Sequence, residues 1–161
     1  ALVWRREWAV RILCPFPQFM VVSSFRVSYN RKAEQSCLCV SRPRRFGKSM
    51  AAAMLAAYYS RGCDSRELFA PFEIARSTDF RKFLNQYDTI FLNMQEFLSQ
   101  SGDMDGMLDL IRRSVLWELL EKYADIRYFD NTNLTRTMQD IYGKTGCPFV
   151  VIIDEWDCVF R

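Results

Sequence analysis

The chain of 161 residues contains no histidine. That absence removes Ser-His and Cys-His nucleophilic catalysis, and with them any Cys/His zinc set. Its six cysteines, at 14, 37, 39, 63, 147 and 158, include no CxxC pair. They read as buried thiols in a reducing cytosol, and Cys37 and Cys39, two apart, would share one face of a strand. Long apolar runs are also lacking. "WAVRILCPFPQFMVV" is interrupted by Arg11, Pro15 and Pro17 and falls short of the roughly 18 clean apolar residues that a membrane span needs. A basic start before an apolar run imitates a secretory leader, but the prolines break the run and no A-x-A-like site comes after it. The expectation is a cytoplasmic protein. There is no internal repeat and no low-complexity tract.

What is present is ordinary globular material. Half of the residues are apolar and a quarter are charged, enough for one core and unlike a disordered tail. The net charge of +3 is mild, yet it is unevenly spread. Residues 5–45 hold Arg5, Arg6, Arg11, Arg26, Arg31, Lys32, Arg42, Arg44 and Arg45 against only Glu7 and Glu34.

Residues 1–35 have weak periodicity and few turn signals. From Ser36 the pattern sharpens. "CLCV" (37–40) reads as a short buried strand that ends at a Ser-Arg-Pro turn. "KSMAAAMLAAYYS" (48–60) is rich in strong helix formers, stops at Arg61-Gly62, and has the alanines of a helix lying close to a sheet. "DSREL" (64–68) reads as a capping box, with Asp64 accepting from the amide of Glu67. "YDTIFLNM" (87–94) is a second strand. "GDMDGMLDLIRRSVLWELLEKY" (102–123) is an amphipathic helix with Leu108, Ile111, Val115 and Leu119 on one stripe, and Arg112, Arg113, Glu118 and Lys122 as solvated charge. "NLTRTMQDIYGKTG" (133–146) places Leu134, Met138, Ile141 and Tyr142 at helical spacing, with Gly143 and Gly146 at the exit. "PFVVIIDEWD" (148–157) is five apolar residues ending in acids, the pattern of a central parallel strand. Strand, helix, strand, helices, strand is an α/β order with right-handed crossovers.

Two stretches carry chemistry. "SRPRRFGKSM" ends in the Gly-Lys-Ser of a phosphate-binding loop. A loop that turns directly into a helix offers a triphosphate unpaired amides and the positive end of the helix dipole. Gly47 permits close backbone approach, Lys48 supplies a point charge for the phosphates, and Ser49 a hydroxyl for magnesium. The glycine that usually opens such a loop is missing, since Arg42 stands there and Pro43 stiffens the loop's entry. The amides of Arg45 through Ser49 can still form the cradle, with Arg44, Arg45, Phe46 and Met50 around it. The competing and weaker reading of these arginines is a basic surface loop or a nucleic-acid contact. The second stretch is "VVIIDE". Asp154 at a strand tip can hold magnesium through water, and Glu155 can orient and deprotonate the attacking water. Alone, an Asp-Glu pair is also a common polar turn.

Together, "SRPRRFGKSM…LAAYYSRGCDSRELF", "LNQYDTIFLNMQEFLS" and "FVVIIDEWDCVFR" resemble the AAA-ATPase-like family of P-loop proteins over about residues 37–161. Members of that family carry RPRRFGKS in place of the glycine-first loop, so Arg42 fits the family's own pattern. The resemblance implies a P-loop parallel sheet flanked by helices and ATP with Mg2+ as ligands. By it Lys48 and Ser49 match the phosphate-loop lysine and hydroxyl, Asp154 the magnesium aspartate, and Glu155 the catalytic glutamate. It also implies a nucleic acid or protein partner, because the ATPase part is often followed by a restriction-endonuclease-like domain.

Two departures from the family shape the expected domain plan. Residues 1–35 lack the family's usual opening, and the chain starts with Ala and stops seven residues past Asp154. The expectation is an uncertain segment at 1–35, then residues 36–161 as the first part of an ATPase domain whose later strands are missing. Hydrolysis is expected of a longer parent rather than of this fragment. A different class of function competes with it: an inactive interaction module in which the basic loop contacts nucleic acid or protein. A small-molecule kinase would share the loop but needs an acceptor pocket and a lid.

Overall fold

A computed structural model describes residues 47–160. The strand expected at 37–40, and Arg42, Pro43, Arg44, Arg45 and Phe46 of the loop, lie outside the described residues. Contacts divide the chain into two compact units that meet in sequence between Gln86 and Tyr87.

The first unit begins with helix α1, Lys48–Tyr59. Ala51, Ala53, Met54, Ala56, Ala57, Tyr58 and Tyr59 are all buried, so the helix is apolar on more than one side, as a fully enclosed helix must be. Short turns come next: α2 (Arg66–Phe69), a 3-10 turn (Glu73–Arg76) and α3 (Phe80–Phe83). Their aromatic residues gather on Tyr58, whose ring lies 5.1 Å from Tyr59, 5.3 Å from Phe69 and 5.9 Å from Phe80. Tyr58 is fully buried, and its hydroxyl donates to the carbonyl of Phe80 at 3.1 Å. That bond removes the penalty of a buried phenol.

Helix α1 does not end on glycine as its Arg61-Gly62 exit suggested. Ser60 turns extended (φ −64°, ψ 120°), and side chains from further along take up the last carbonyls. Asn85 Nδ2 donates to Ala57 O at 3.1 Å and to Ser60 O at 2.8 Å, while Ser65 Oγ donates to Ala57 O at 2.7 Å. The amide of Asn85 bonds Tyr58 O, and Asn85 Oδ1 accepts from the amide of Ser65 at 3.0 Å. Helix carbonyls left over at a carboxyl end need such partners. To supply them, Asn85 adopts a left-handed backbone (φ 57°), a conformation asparagine tolerates better than most residues.

The capping box expected at 64–68 does not form. Asp64 accepts from the amide of Arg66 rather than of Glu67, at 3.1 Å. Ser65 sits at the N-cap of α2 with its hydroxyl committed to α1 instead. A four-residue helix has little first turn to satisfy, so the tertiary bond takes the side chain.

The second unit is built on two parallel strands, β1 (Asp88–Asn93) and β2 (Phe149–Asp154), with Asp88 opposite Phe149 and Asn93 opposite Asp154. Three helices separate them: α4 (Met94–Ser101), α5 (Met104–Lys122) and α6 (Leu134–Thr145). Each starts on a side-chain cap: Asn93 accepts from the amide of Glu96, Asp103 from Gly106 and Asn133 from Arg136. Such caps suit Asn and Asp, which also resist continuing a helix backward. Gly102 and Gly146, both left-handed, end α4 and α6. The helices close over Ile90 and Leu92 of β1 with Phe97, Met107, Val115, Leu119 and Ile141. The α/β class holds, as a small parallel sheet flanked by helices.

Three details depart from the sequence pattern. Leu108 and Tyr142, each expected on a buried stripe, are 54% and 53% exposed. The stripe that packs runs through Met107, Val115 and Leu119 on α5 and through Thr137 and Ile141 on α6. β2 reads as a central strand in the sequence. Among the described residues it pairs only with β1, and Val151 and Ile153 are each half exposed while Ile152 and Asp154 are buried. Finally, Lys122 is not simply solvated charge: its Nζ lies 2.8 Å from Oδ1 of Asp88, a carboxylate whose side chain is 3% exposed.

Candidate functional site

The expected phosphate-loop residues lie in the first unit. Gly47 has φ 68° and ψ 28°, and α1 begins at the next residue. A left-handed residue there is cheap for glycine and strained for anything with a Cβ. No side chain caps this helix start, and its first turn holds no acid. In each of α4, α5 and α6 the N-cap side chain takes a first-turn amide, whereas the N-cap of α1 is a glycine with no side chain to do so. Lys48 is partly buried, Ser49 exposed and Met50 partly buried. Of the expected cradle residues, Gly47, Lys48, Ser49 and Met50 sit at the amino end of α1.

The expected acidic residues lie in the second unit. β2 delivers Asp154 at its carboxyl tip, 8% exposed. Its Oδ1 accepts from the amide of Glu155 at 3.0 Å, a bond that helps orient the carboxylate. Glu155 leaves the strand in a left-handed conformation (φ 53°). This is a costly backbone state for glutamate. The carbonyl of Glu155 accepts from the amide of Cys158, closing the turn into the 3-10 segment Trp156–Phe160. The β-strand thus ends abruptly and presents Glu155, partly buried, just past the sheet.

One neighbour escaped the sequence reading. The register sets Asn93, the last residue of β1, directly beside Asp154. Its side chain caps α4 through Oδ1. The signal was available in "LNM", a polar residue closing an apolar strand. Only the pairing of 93 with 154 gives it meaning.

Among the described residues, no group of three or more Cys, Asp or Glu side chains could hold a metal ion unaided. Magnesium on a nucleotide does not require one. It keeps several waters and is bound through one or two carboxylates together with substrate phosphates. Elsewhere in the second unit, Leu108, Ile111 and Leu134 form the apolar side of an open depression edged by Arg112, Asp130, Thr132, Asn133 and Thr135. Its charges are internally engaged, Arg112 with Asp109 at 2.6 Å and Asp130 with Thr132.

Of the described cysteines, Cys147 and Cys158 are buried and Cys63 partly so, all as free thiols. Cys14, Cys37 and Cys39 lie outside the described residues. No helix among the described residues is long and apolar enough to cross a membrane.

No curated protein and no solved structure matches the chain. A family model does, under the description "Predicted AAA-ATPase", and it matches residues 27–160. The match begins ten residues ahead of the resemblance that starts at Cys37, and it takes in both the Gly-Lys-Ser helix start and the Asp-Glu strand tip. By that match over most of its length, the chain belongs to the AAA-ATPase-like family.

Proposed function

We propose that the chain binds ATP with Mg2+, as the nucleotide-binding part of a longer ATP-hydrolysing protein. Lys48 would pair with the phosphates, the amides of Gly47 through Met50 would cradle them, and Arg44, Arg45 and Phe46 would complete the loop. Ser49 and Asp154 would hold the magnesium, and Glu155 would act as the general base toward water. The observation that supports this reading most is the start of α1. A left-handed glycine opens the helix, and lysine and serine come at once after it.

The test is a titration of a fluorescent ATP analogue with magnesium, using the wild type and Lys48→Ala. A charge-assisted hydrogen bond is worth about 1.5–3 kcal/mol, so the variant should bind roughly 10- to 100-fold more weakly. Equal affinity in a folded Lys48→Ala protein would refute the assignment. Glu155→Gln should keep the affinity and lose turnover; full turnover would remove Glu155 from the role of base.

A second reading has its own support in the charge distribution. Residues 1–86 contain fifteen Lys and Arg against six Asp and Glu, whereas residues 87–161 contain seven against thirteen. An amino-terminal half of that sign suits a polyanion, and the partner would be a nucleic acid held by its phosphates. Binding of an oligonucleotide that weakens steeply with salt and ignores both ATP and the Lys48→Ala change would favour an interaction module over an ATPase.

A further inference from the structure

We draw no further inference here: the strongest candidate, the outer edge of strand β2 with half-exposed Val151 and Ile153 beside the exposed Trp156, carries nothing because nothing in the structure shows what covers it.

Discussion

The two units hold together by different means. Residues 47–86 contain one long helix and three single turns, and their cohesion comes from an aromatic cluster plus a polar knot. In that knot Asn85 and Ser65 bond to the carboxyl end of α1. Residues 87–160 contain a parallel ladder and three capped helices, with cohesion from apolar stripes closing over β1. The first unit depends on a few named side chains at fixed angles. The second depends on a pattern in which many residues contribute a little each. The difference sets where each is fragile: a single polar substitution should cripple the first, while the second should fail only where the alternation of buried and exposed positions is violated.

The largest effect is expected at Asn85. Replacing it with alanine removes an acceptor from the Ser65 amide and donors from two α1 carbonyls, and places a Cβ residue in the left-handed region without compensation. Each buried group left unpaired costs about 1–3 kcal/mol, but water will reach part of this half-buried site, so a total near ~3 kcal/mol is expected. Asn85→Gly loses the same bonds yet relieves the backbone, and should be about 1 kcal/mol less damaging. Urea denaturation of both variants measures this. Equal losses would mean that the left-handed backbone contributes nothing, and no loss in either would dissolve the contrast between the units.

β2 provides the matching test in the second unit. Ile152 is 9% exposed and its neighbour Ile153 is 50% exposed. Truncating a buried isoleucine to alanine costs about 2–5 kcal/mol, and Ile152→Ala should fall near the lower end because its strand is covered unevenly. Ile153→Thr keeps the β-branch and should stay within about 0.5 kcal/mol. Comparable losses at the two positions would show that β2 is covered on both faces in solution.

These cases also show what the sequence could and could not disclose. Both strands and the three longest helices were legible within one or two residues, because a period of two or of 3.6 repeats often enough to average out single exceptions. Helix α4 went unread: eight residues directly after a strand leave no room for a period to establish itself. The knot around Asn85 was invisible for a stronger reason. It joins residues 20 to 28 positions apart through side chain to backbone bonds, and no local pattern encodes those. The stripe on α5 was read one residue off, at Leu108 instead of Met107, since both are apolar and only packing chooses between them. The candidates Gly47, Lys48, Ser49, Asp154 and Glu155 could be named from the sequence because the proposed chemistry asks for those residue types. Asn93 could not, because its place beside Asp154 is a property of strand register.

An ion pair tests the boundary between pattern and named side chain. Asp88 opens β1 almost fully buried, and Lys122 near the end of α5 is its partner. Lys122 is 37% exposed on its side chain, so its attraction is partly screened and the pair falls between surface and buried cases. Lys122→Met keeps the aliphatic stem and removes a charged partner from a nearly buried carboxylate; a loss of about 2 kcal/mol in thermal or urea unfolding is expected. The double variant Lys122→Met with Asp88→Asn should recover part of it. Without recovery, the lysine acts through its stem packing rather than its charge.

The smallest effect concerns acid. Hydrogen bonds from the hydroxyl and amide of Thr132 hold the Asp130 carboxyl below the usual carboxylate range. The Arg112 hydrogen bond, with further help from Arg113, does the same for Asp109. A folded-state value depressed below the unfolded one adds stability that is fully present above the ordinary carboxylate range and is lost as pH falls through the folded value. Both groups are exposed, so the contributions are minor, and salt should erode that of Asp109 more than that of Asp130. Asp109 faces surface arginines, whereas Asp130 is held by neutral donors within its own turn. Melting temperatures of Asp109→Asn and Asp130→Asn between about pH 7 and pH 3 should therefore converge on the wild type at the acid end. At neutral pH only the Asp109→Asn difference should shrink in high salt. If the Asp130→Asn difference shrinks equally, its turn is stabilised by distant charge, and even this short loop belongs to the long-range pattern of the second unit.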